Sequence, residues 1–300
     1  MSEIALLGVD WGSSSARAFA IAPDGAIAGV RRSDDGVFAA SGAFDERLRR
    51  LLGDWLERWP AAPVLLCGMI GSDRGWLYAP YTSAPAGLDD LARALIAAPF
   101  ARTARIVPGM SFVAGETCEV MRGEETLLMG LAAQRATLCL PGTHSKWVDL
   151  ADGRVAAFRT HMTGELRAAL LAAGALATPV PQAESAPAFA AGLAASQQSA
   201  ALTQSLFQAR ARRLLGALAA EHTASFVSGV LIGAEIASEA KTASREGSIV
   251  LAARGALAAA YGAALSLAGL AFTIVDPEPL AAQGLLRIAR QAGLYPNGSM

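Results

Sequence analysis

A short apolar strand, Ile4–Val9, runs into Asp10 and a turn of small residues, Gly12-Ser13-Ser14-Ser15, before Arg17 opens a second strand. This ordering constrains the chain more than any other feature. The small residues let backbone N–H groups come close to anionic oxygens, and an acid at the mouth of such a turn can hold Mg²⁺ through water. An ordinary structural hairpin has the same local signature. What lifts the pattern above that reading is its recurrence about 130 residues later. Ala136–Leu140 is strand-like, Pro141-Gly142-Thr143-His144-Ser145 is a turn, and Lys146–Leu150 resumes strand. Each unit then turns again on Asp-Gly, at Asp24-Gly25 and Asp152-Gly153, into a further strand. Two β-turn-β units of one design predict two related halves.

Helical and strand patterns alternate around these units, as in a mixed α/β protein. Leu48, Leu51, Leu52, Trp55 and Leu56 are spaced for an amphipathic helix from Phe44 to Trp59, stopped by Pro60. Val64–Met69 and Ala104–Val107 read as strands, with a helix over 88–98 between them. Further helices are expected at 164–176, 187–195, 199–221 and 225–241, the last capped by Ser225 or Ser228. A strand at 248–251, a helix from about 256 and a strand at 271–275 follow. The Pro108-Gly109 region, 108–118, is the expected boundary, giving an N-terminal α/β domain over 1–115 and a C-terminal one over 116–300.

With 25 basic and 26 acidic residues in 300, and arginines scattered rather than clustered, a strongly basic nucleic-acid surface is not expected. The cysteines Cys67, Cys118 and Cys139 lack pairing or CxxC spacing and read as buried small hydrophobes of a reducing compartment. His144, His161 and His222 are too scattered for a zinc site. Gly255–Val275 carries no charge over 21 residues. Its Ala/Gly content, and the acids Asp276 and Glu278 beyond it, favour a buried helix and strand over a membrane span. No basic, apolar leader opens the chain. A soluble cytoplasmic protein is expected.

P-loop, dinucleotide-fold and nucleophile-elbow motifs are all missing from the sequence. A nucleotide would therefore have to be held by another device, and paired small-residue turns supply one. The segments DWGSSSAR (10–17), GMIGSDRGW (68–76), APY (79–81), MRGEET (121–126), PGTHSKWV (141–148), HMTGEL (161–166) and SGVLIGAEIAS (228–238) carry a wider likeness. In their order and spacing the chain resembles sugar kinases of the actin, hexokinase and heat-shock-chaperone ATPase superfamily. Within it the 2-dehydro-3-deoxygalactonokinases are most similar. The resemblance implies a two-domain actin-like (ribonuclease H-like) ATPase fold with an interdomain cleft.

That resemblance also implies roles. Asp10, Gly12, Ser13 and Ser14, with Arg17 beside them, would form the phosphate-1 loop, Asp10 acting on Mg²⁺. Gly142, Thr143, His144 and Ser145, followed by Lys146, would form the phosphate-2 loop, with His144 either a structural group or a base. The base would lie in Gly123-Glu124-Glu125-Thr126, as Glu124 or alternatively Glu125; these acids also suit a helix N-terminus. Met69, Gly71, Ser72, Trp76 and Tyr81 would wall the sugar-acid site, and Thr163-Gly164-Glu165 would line the same cleft. The substrate carboxylate asks for an arginine, and Arg74, Arg122, Arg159 and Arg167 are all available. Gly255, with Arg254 and the helix at Leu231–Ala234, would border the adenine. The implied reaction is ATP- and Mg²⁺-dependent phosphorylation of 2-dehydro-3-deoxy-D-galactonate at its C6 hydroxyl. A kinase for another sugar or 2-keto-3-deoxy acid, or a phosphohydrolase of the same fold, are the alternatives. The expected partners are small molecules, without nucleic acid or membrane; the oligomeric state, homodimer included, stays open.

Overall fold

The computed structural model describes residues 3–39, 42–100, 102–199, 201–241 and 248–295. The chain divides into two compact units that are not consecutive in sequence. The first comprises Met1–Arg135, Asp149–Phe158 and Asp276–Met300; the second comprises Ala136–Val148 and Arg159–Val275.

The first unit begins with β1 (Leu6–Trp11), β2 (Ala16–Ile21), β3 (Ile27–Ser33), α1 (Phe44–Leu52), α2 (Trp55–Arg58) and β4 (Val64–Gly68). It continues through β5 (Thr82–Ser83), α3 (Leu88–Arg93), β6 (Ile96–Ala97), β7 (Ala104–Ile106), β8 (Met110–Ala114), β9 (Thr117–Met121) and α4 (Glu124–Leu131). Its main sheet has the order β3-β2-β1-β4-β7-β6. Strand β1 is antiparallel to β2 and parallel to β4. It is buried on both faces, which is why it reads as a nearly unbroken apolar run. Glycine ends the first helix early: Gly53 takes φ +49, so the single helix expected over 44–59 is α1 and a separate turn, α2. The helix expected over 88–98 likewise stops at Arg93, and the chain enters β6. Residues 108–118, expected to be an interdomain linker, instead lead into the β8–β9 hairpin of a small sheet ordered β5-β8-β9. Because β9 is an edge strand there, Cys118 is exposed, whereas Cys67 and Cys139 are buried.

The second unit contains β10 (Ala136–Leu140), β11 (Ser145–Ala151), β12 (Arg154–His161), α5 (Thr163–Ala172), α6 (Ala186–Gln198), α7 (Leu202–Leu214), α8 (Thr223–Glu239), β13 (Ile249–Ala252), α9 (Gly255–Leu267) and β14 (Phe272–Val275). The hairpin tip Asp149–Phe158 is counted with the first unit. The sheet order is β12-β11-β10-β13-β14, with β10, β13 and β14 parallel. The helix expected over 199–221 is α7 plus a separate 3₁₀ turn at Ala220–His222, and Ala200 lies outside the described residues. Helix α8 starts at Thr223, and neither expected serine caps it: Ser225 Oγ accepts from Ser185 N at 3.0 Å, and Ser228 Oγ donates to Ala224 O at 2.8 Å. The uncharged stretch 255–275 forms α9 and β14; no helix among the described residues is long and apolar enough to cross a membrane.

The chain then returns to the first unit as α10 (Pro277–Gln291), so a single boundary near 115 does not describe the division. Facing glycines bring α10 onto α4. A Cβ on Gly130 would sit 2.0 Å from Leu280 O, and one on Gly284 would sit 1.8 Å from Thr126 O. In the second unit α6 and α8 use the same device: a Cβ on Gly192 would lie 2.1 Å from Phe226 O, and one on Gly229 2.2 Å from Phe189 O. Close backbone approach of this kind fixes helices firmly, and α4 carries the acid pair in its first turn.

Candidate active site

In the first unit, Asp10 lies one residue from the end of β1, opposite Arg17 on β2 and Cys67 on β4. Arg17 Nη2 donates to Asp10 Oδ2 at 2.6 Å, and Arg17 also lies 3.8 Å from Glu278 at the start of α10. The turn Gly12–Ser15 is closed by Gly12 N donating to Ser15 O at 2.9 Å. It is braced from behind, where Val37 N and Phe38 N donate to Gly12 O and Ser13 O. Gly36 is required there, since a Cβ would come within 2.2 Å of Ser13 O.

Two glycines in left-handed conformations bring the start of α4 to the same place. Gly68, at φ +88, would put a Cβ 2.7 Å from Trp11 O and 3.3 Å from Asp10 Oδ1; Gly123, at φ +109, would put one 3.3 Å from Gly68 Cα. Glu124 Oε2 accepts from Arg122 N at 3.1 Å. Glu125 Oε2 accepts from Gly123 N at 2.6 Å, and its Oε1 accepts from Thr126 Oγ1 at 3.1 Å. Burial separates the two acids. Glu125 is fully enclosed, and that enclosure, with the charge of Glu124 beside it, pushes its pKa up to about 8. Glu124 is half-buried. The Cys67 thiol, raised chiefly by burial and further by Asp10 and Glu125, reports that the strand acid and the helix acid share one locale.

The expected sugar-acid wall is only partly a wall. Met69–Gly71 is a 3₁₀ turn after β4, with Met69 packed against the core. The Ser72 side chain is buried and its Oγ accepts from Arg74 N at 3.3 Å. Trp76 stacks on Phe44 at 6.4 Å and meets Phe100 edge-on, so it is largely core packing. Gly71 and Tyr81 converge on Arg122. A Cβ on Gly71 would be 3.0 Å from Arg122 Nη1, and the guanidinium lies 4.4 Å from the centre of the exposed Tyr81 ring.

The turn of the second unit has different support. Glu165 N donates to Thr143 O at 3.0 Å, and Gly164 leaves room for the turn, since a Cβ there would meet Gly142 O at 2.4 Å. His144 Nε2 and the Glu165 carboxylate form a short hydrogen-bonded pair at the surface. Ser145 Oγ bonds Tyr261 Oη at 2.8 Å, and Tyr261 Oη donates to Glu235 Oε2 at 2.8 Å. The buried Glu235 also accepts from Trp147 Nε1 at 2.8 Å and from Thr163 Oγ1. Burial, with the charge of Glu235, pushes the Tyr261 hydroxyl far up and keeps it protonated. Lys146 is buried with Nζ 3.1 Å from Thr160 Oγ1, so its ammonium is directed into the unit rather than out of the turn. Nearby, Glu239 takes Arg159 Nε at 2.9 Å and His161 Nε2 at 2.8 Å. The bond to Glu239 raises the His161 pKa, and the two cationic partners lower that of Glu239 against its burial. The Glu235 and Glu239 clusters were not expected. Two acids four apart in the largely apolar helix Thr223–Glu239 are the signal that could have revealed them.

A cavity of about 780 Å³ lies against this turn, within the same unit. Gly142, Thr143, Thr163 and Gly164 form one end, and Leu231 and Ile232 of α8 with Ala256, Leu257 and Ala260 of α9 form largely apolar walls. Gly255, expected at the adenine, opens α9 at φ +60 one residue before the lining residue Ala256.

Two α/β units, each with a small-residue turn between paired strands, define the actin-like ATPase fold. A crystal structure of a protein from Sinorhizobium meliloti that carries the 2-dehydro-3-deoxygalactonokinase name superposes with a TM-score of 0.87 at 37% identity, covering 98% of both chains. The activator of the 2-hydroxyisocaproyl-CoA dehydratase from Clostridium difficile, with bound ADPNP, shares the fold alone: TM-score 0.52 and 12% identity, over 98% of this chain and 99% of that one. The chain belongs to the 2-keto-3-deoxy-galactonokinase family, whose model matches residues 10–288. It is 36% identical over 287 residues to the 2-dehydro-3-deoxygalactonokinase of Escherichia coli (strain K12), covering 94% of this chain and 97% of that protein. A Rhizobium meliloti (strain 1021) relative, named as a probable 2-dehydro-3-deoxygalactonokinase, is 38% identical over 298 residues, covering 94% and 95%.

Proposed function

We propose that this chain is a carbohydrate kinase that transfers the γ-phosphoryl group of ATP to the C6 hydroxyl of 2-dehydro-3-deoxy-D-galactonate, giving the 6-phosphate and ADP in galactonate catabolism. The observation that carries the reading is the meeting of Asp10, Gly68 and the start of α4 in one unit of a chain matched by the family over nearly its whole length. Glu124 accepts the hydroxyl proton as the base. It is the half-buried acid of the pair, while Glu125 is enclosed and holds its proton at neutral pH. The adenosine occupies the second unit's cavity, whose volume of about 780 Å³ and apolar walls suit a nucleotide. Thr143 and the backbone of its turn hold phosphate oxygens, as do Gly12, Ser13 and Ser14 in the first unit.

Asp10 fits Mg²⁺ in its usual manner, as one carboxylate beside a phosphate turn, because that ion keeps several waters and takes few protein ligands. Bound there, Mg²⁺ would neutralise charge on the transferring phosphoryl group. Arg17 holds Asp10 Oδ2 and so orients the carboxylate. The enzyme acts in the cytoplasm in this reading, and light scattering distinguishes monomer from homodimer.

Coupled ADP detection with 2-dehydro-3-deoxy-D-galactonate, a panel of aldoses and other 2-keto-3-deoxy acids, and no sugar at all tests the proposal. Turnover should be fastest with the named acid. Faster turnover with another sugar would overturn the substrate, and sugar-independent phosphate release would overturn the kinase.

A further inference from the structure

We propose that Arg122 receives the carboxylate of the sugar acid and sets the enzyme's preference for acids over neutral sugars. This rests on the sugar-acid kinase reading above. Arg122 immediately precedes the Gly123–Glu124 step, and its own backbone N–H bonds the Glu124 carboxylate at 3.1 Å. Its side chain is held in place by Nη2 donating to Ala79 O at 2.9 Å and by the Tyr81 ring 4.4 Å away. Tyr81 is in turn seated on Gly109, where a Cβ would come within 2.7 Å of the ring. Gly71 clears the space beside Nη1.

Within this frame, Nε and Nη1 are buried and make no hydrogen bond. Leaving two donor nitrogens of a cation so is costly, because a buried charge needs partners to replace water. A guanidinium grips a carboxylate in two-point fashion through Nη2 paired with either Nε or Nη1, so each unmet nitrogen lies on one such edge, and the bond from Nη2 to Ala79 leaves its second N–H to complete the other. The other candidate arginines are engaged differently. Arg159 bonds Glu239 at 2.9 Å, and Arg167 bonds Ser228 Oγ at 2.7 Å in the second unit. Arg74 lies over the exposed Phe38 ring at 4.1 Å. Arg122 alone of the four combines unmet donors with a place one residue from the acid pair. A carboxylate seated there displaces the Tyr81 ring from the guanidinium while the bond to Ala79 O is kept. Gly71 and Tyr81 thereby gain a role: they shape and cover the arginine rather than touch hydroxyls.

The test compares the natural acid with its C1 methyl ester in wild type, Arg122→Gln and Arg122→Lys, following KM for sugar, KM for ATP, kcat and thermal unfolding. Wild type should prefer the acid over the ester by about 100-fold in kcat/KM. Arg122→Gln should lose that preference, raising KM for the acid while leaving KM for ATP and turnover of the ester nearly unchanged. Arg122→Lys should recover part of the preference, since a point charge replaces the fork. An undiminished acid-over-ester preference in Arg122→Gln would overturn the inference while the kinase reading stands. Equal loss toward acid and ester, with a lowered unfolding temperature, would assign Arg122 a structural role and overturn it equally. If wild type phosphorylates neither compound but does phosphorylate a neutral sugar, the substrate reading itself fails, and this inference with it.

Discussion

The two small-residue turns share a backbone plan but differ in what surrounds them. Each joins a central strand to its antiparallel neighbour, and each rests on a glycine where a Cβ would strike a turn carbonyl, Gly36 under Ser13 and Gly164 under Gly142. The first is flanked by charge: Asp10 bonded to Arg17, with Glu124 and Glu125 close by. The second is flanked by hydroxyls tied to one buried carboxylate, Glu235, and by a cavity with apolar walls. In the proposed reading, one backbone plan serves two chemistries, charge management in the first unit and nucleotide holding in the second. Substitutions in the first unit should therefore fall on kcat and those in the second on KM for ATP.

The largest effect should come from Glu124→Gln. Removing a general base costs 10²–10⁴-fold, so kcat should fall about 1,000-fold with KM for ATP little changed. Glu125→Gln should keep most of the activity, and the reverse result would transfer the role of base to Glu125. Next in size is Glu235→Ala. It deprives Trp147 Nε1, Tyr261 Oη and Thr163 Oγ1 of their acceptor, and each buried donor left unmet costs about 1–3 kcal/mol. Urea unfolding should show a loss of about 3 kcal/mol, and Glu235→Gln a smaller one. A loss below about 1 kcal/mol in the alanine variant would mean the cluster does not brace the second turn. The bracing glycines make the most direct comparison. Gly36→Ala should lower kcat, and Gly164→Ala should raise KM for ATP, each by about 100-fold, because a misplacement of about 1 Å has that cost in a positioned site. The same kinetic signature from both would erase the distinction between the turns.

Both turns were legible in the sequence because strand, small turn and strand are local signals, and β1 is apolar enough to declare itself. The acid pair was visible too, but ranking its members required burial, which depends on α10 arriving from the far end of the chain to close over α4 through Gly284. That return was not read, although Leu285, Leu286 and Ile288 behind Pro277 carry a buried helical face. The β8–β9 hairpin was missed for the opposite reason. Pro108-Gly109 is a strong breaker signal, and the breaker precedes a short edge hairpin rather than a linker. Trp76 looked like a sugar platform and is held in an aromatic cluster with Phe44 and Phe100. Only the tertiary neighbours distinguish those uses.

A pH dependence separates the adjacent acids. Glu125 has a pKa of about 8 when folded, against 4.5 for the ordinary carboxylate, so across that interval the folded protein holds a proton that the unfolded chain has released. Its stabilising contribution is complete below pH 4.5 and is lost as pH rises toward 8, with a limiting slope of about 1.4 kcal/mol per pH unit. Glu125→Gln removes the titrating group but keeps a neutral side chain able to accept from Gly123 N. Its unfolding free energy relative to wild type should therefore rise steadily from pH 5 to pH 8. A constant difference over that range would mean that Glu125 is ionised in the folded state. The first unit would then hold two charged carboxylates at the start of α4, and the assignment of the base would have to rest on geometry alone.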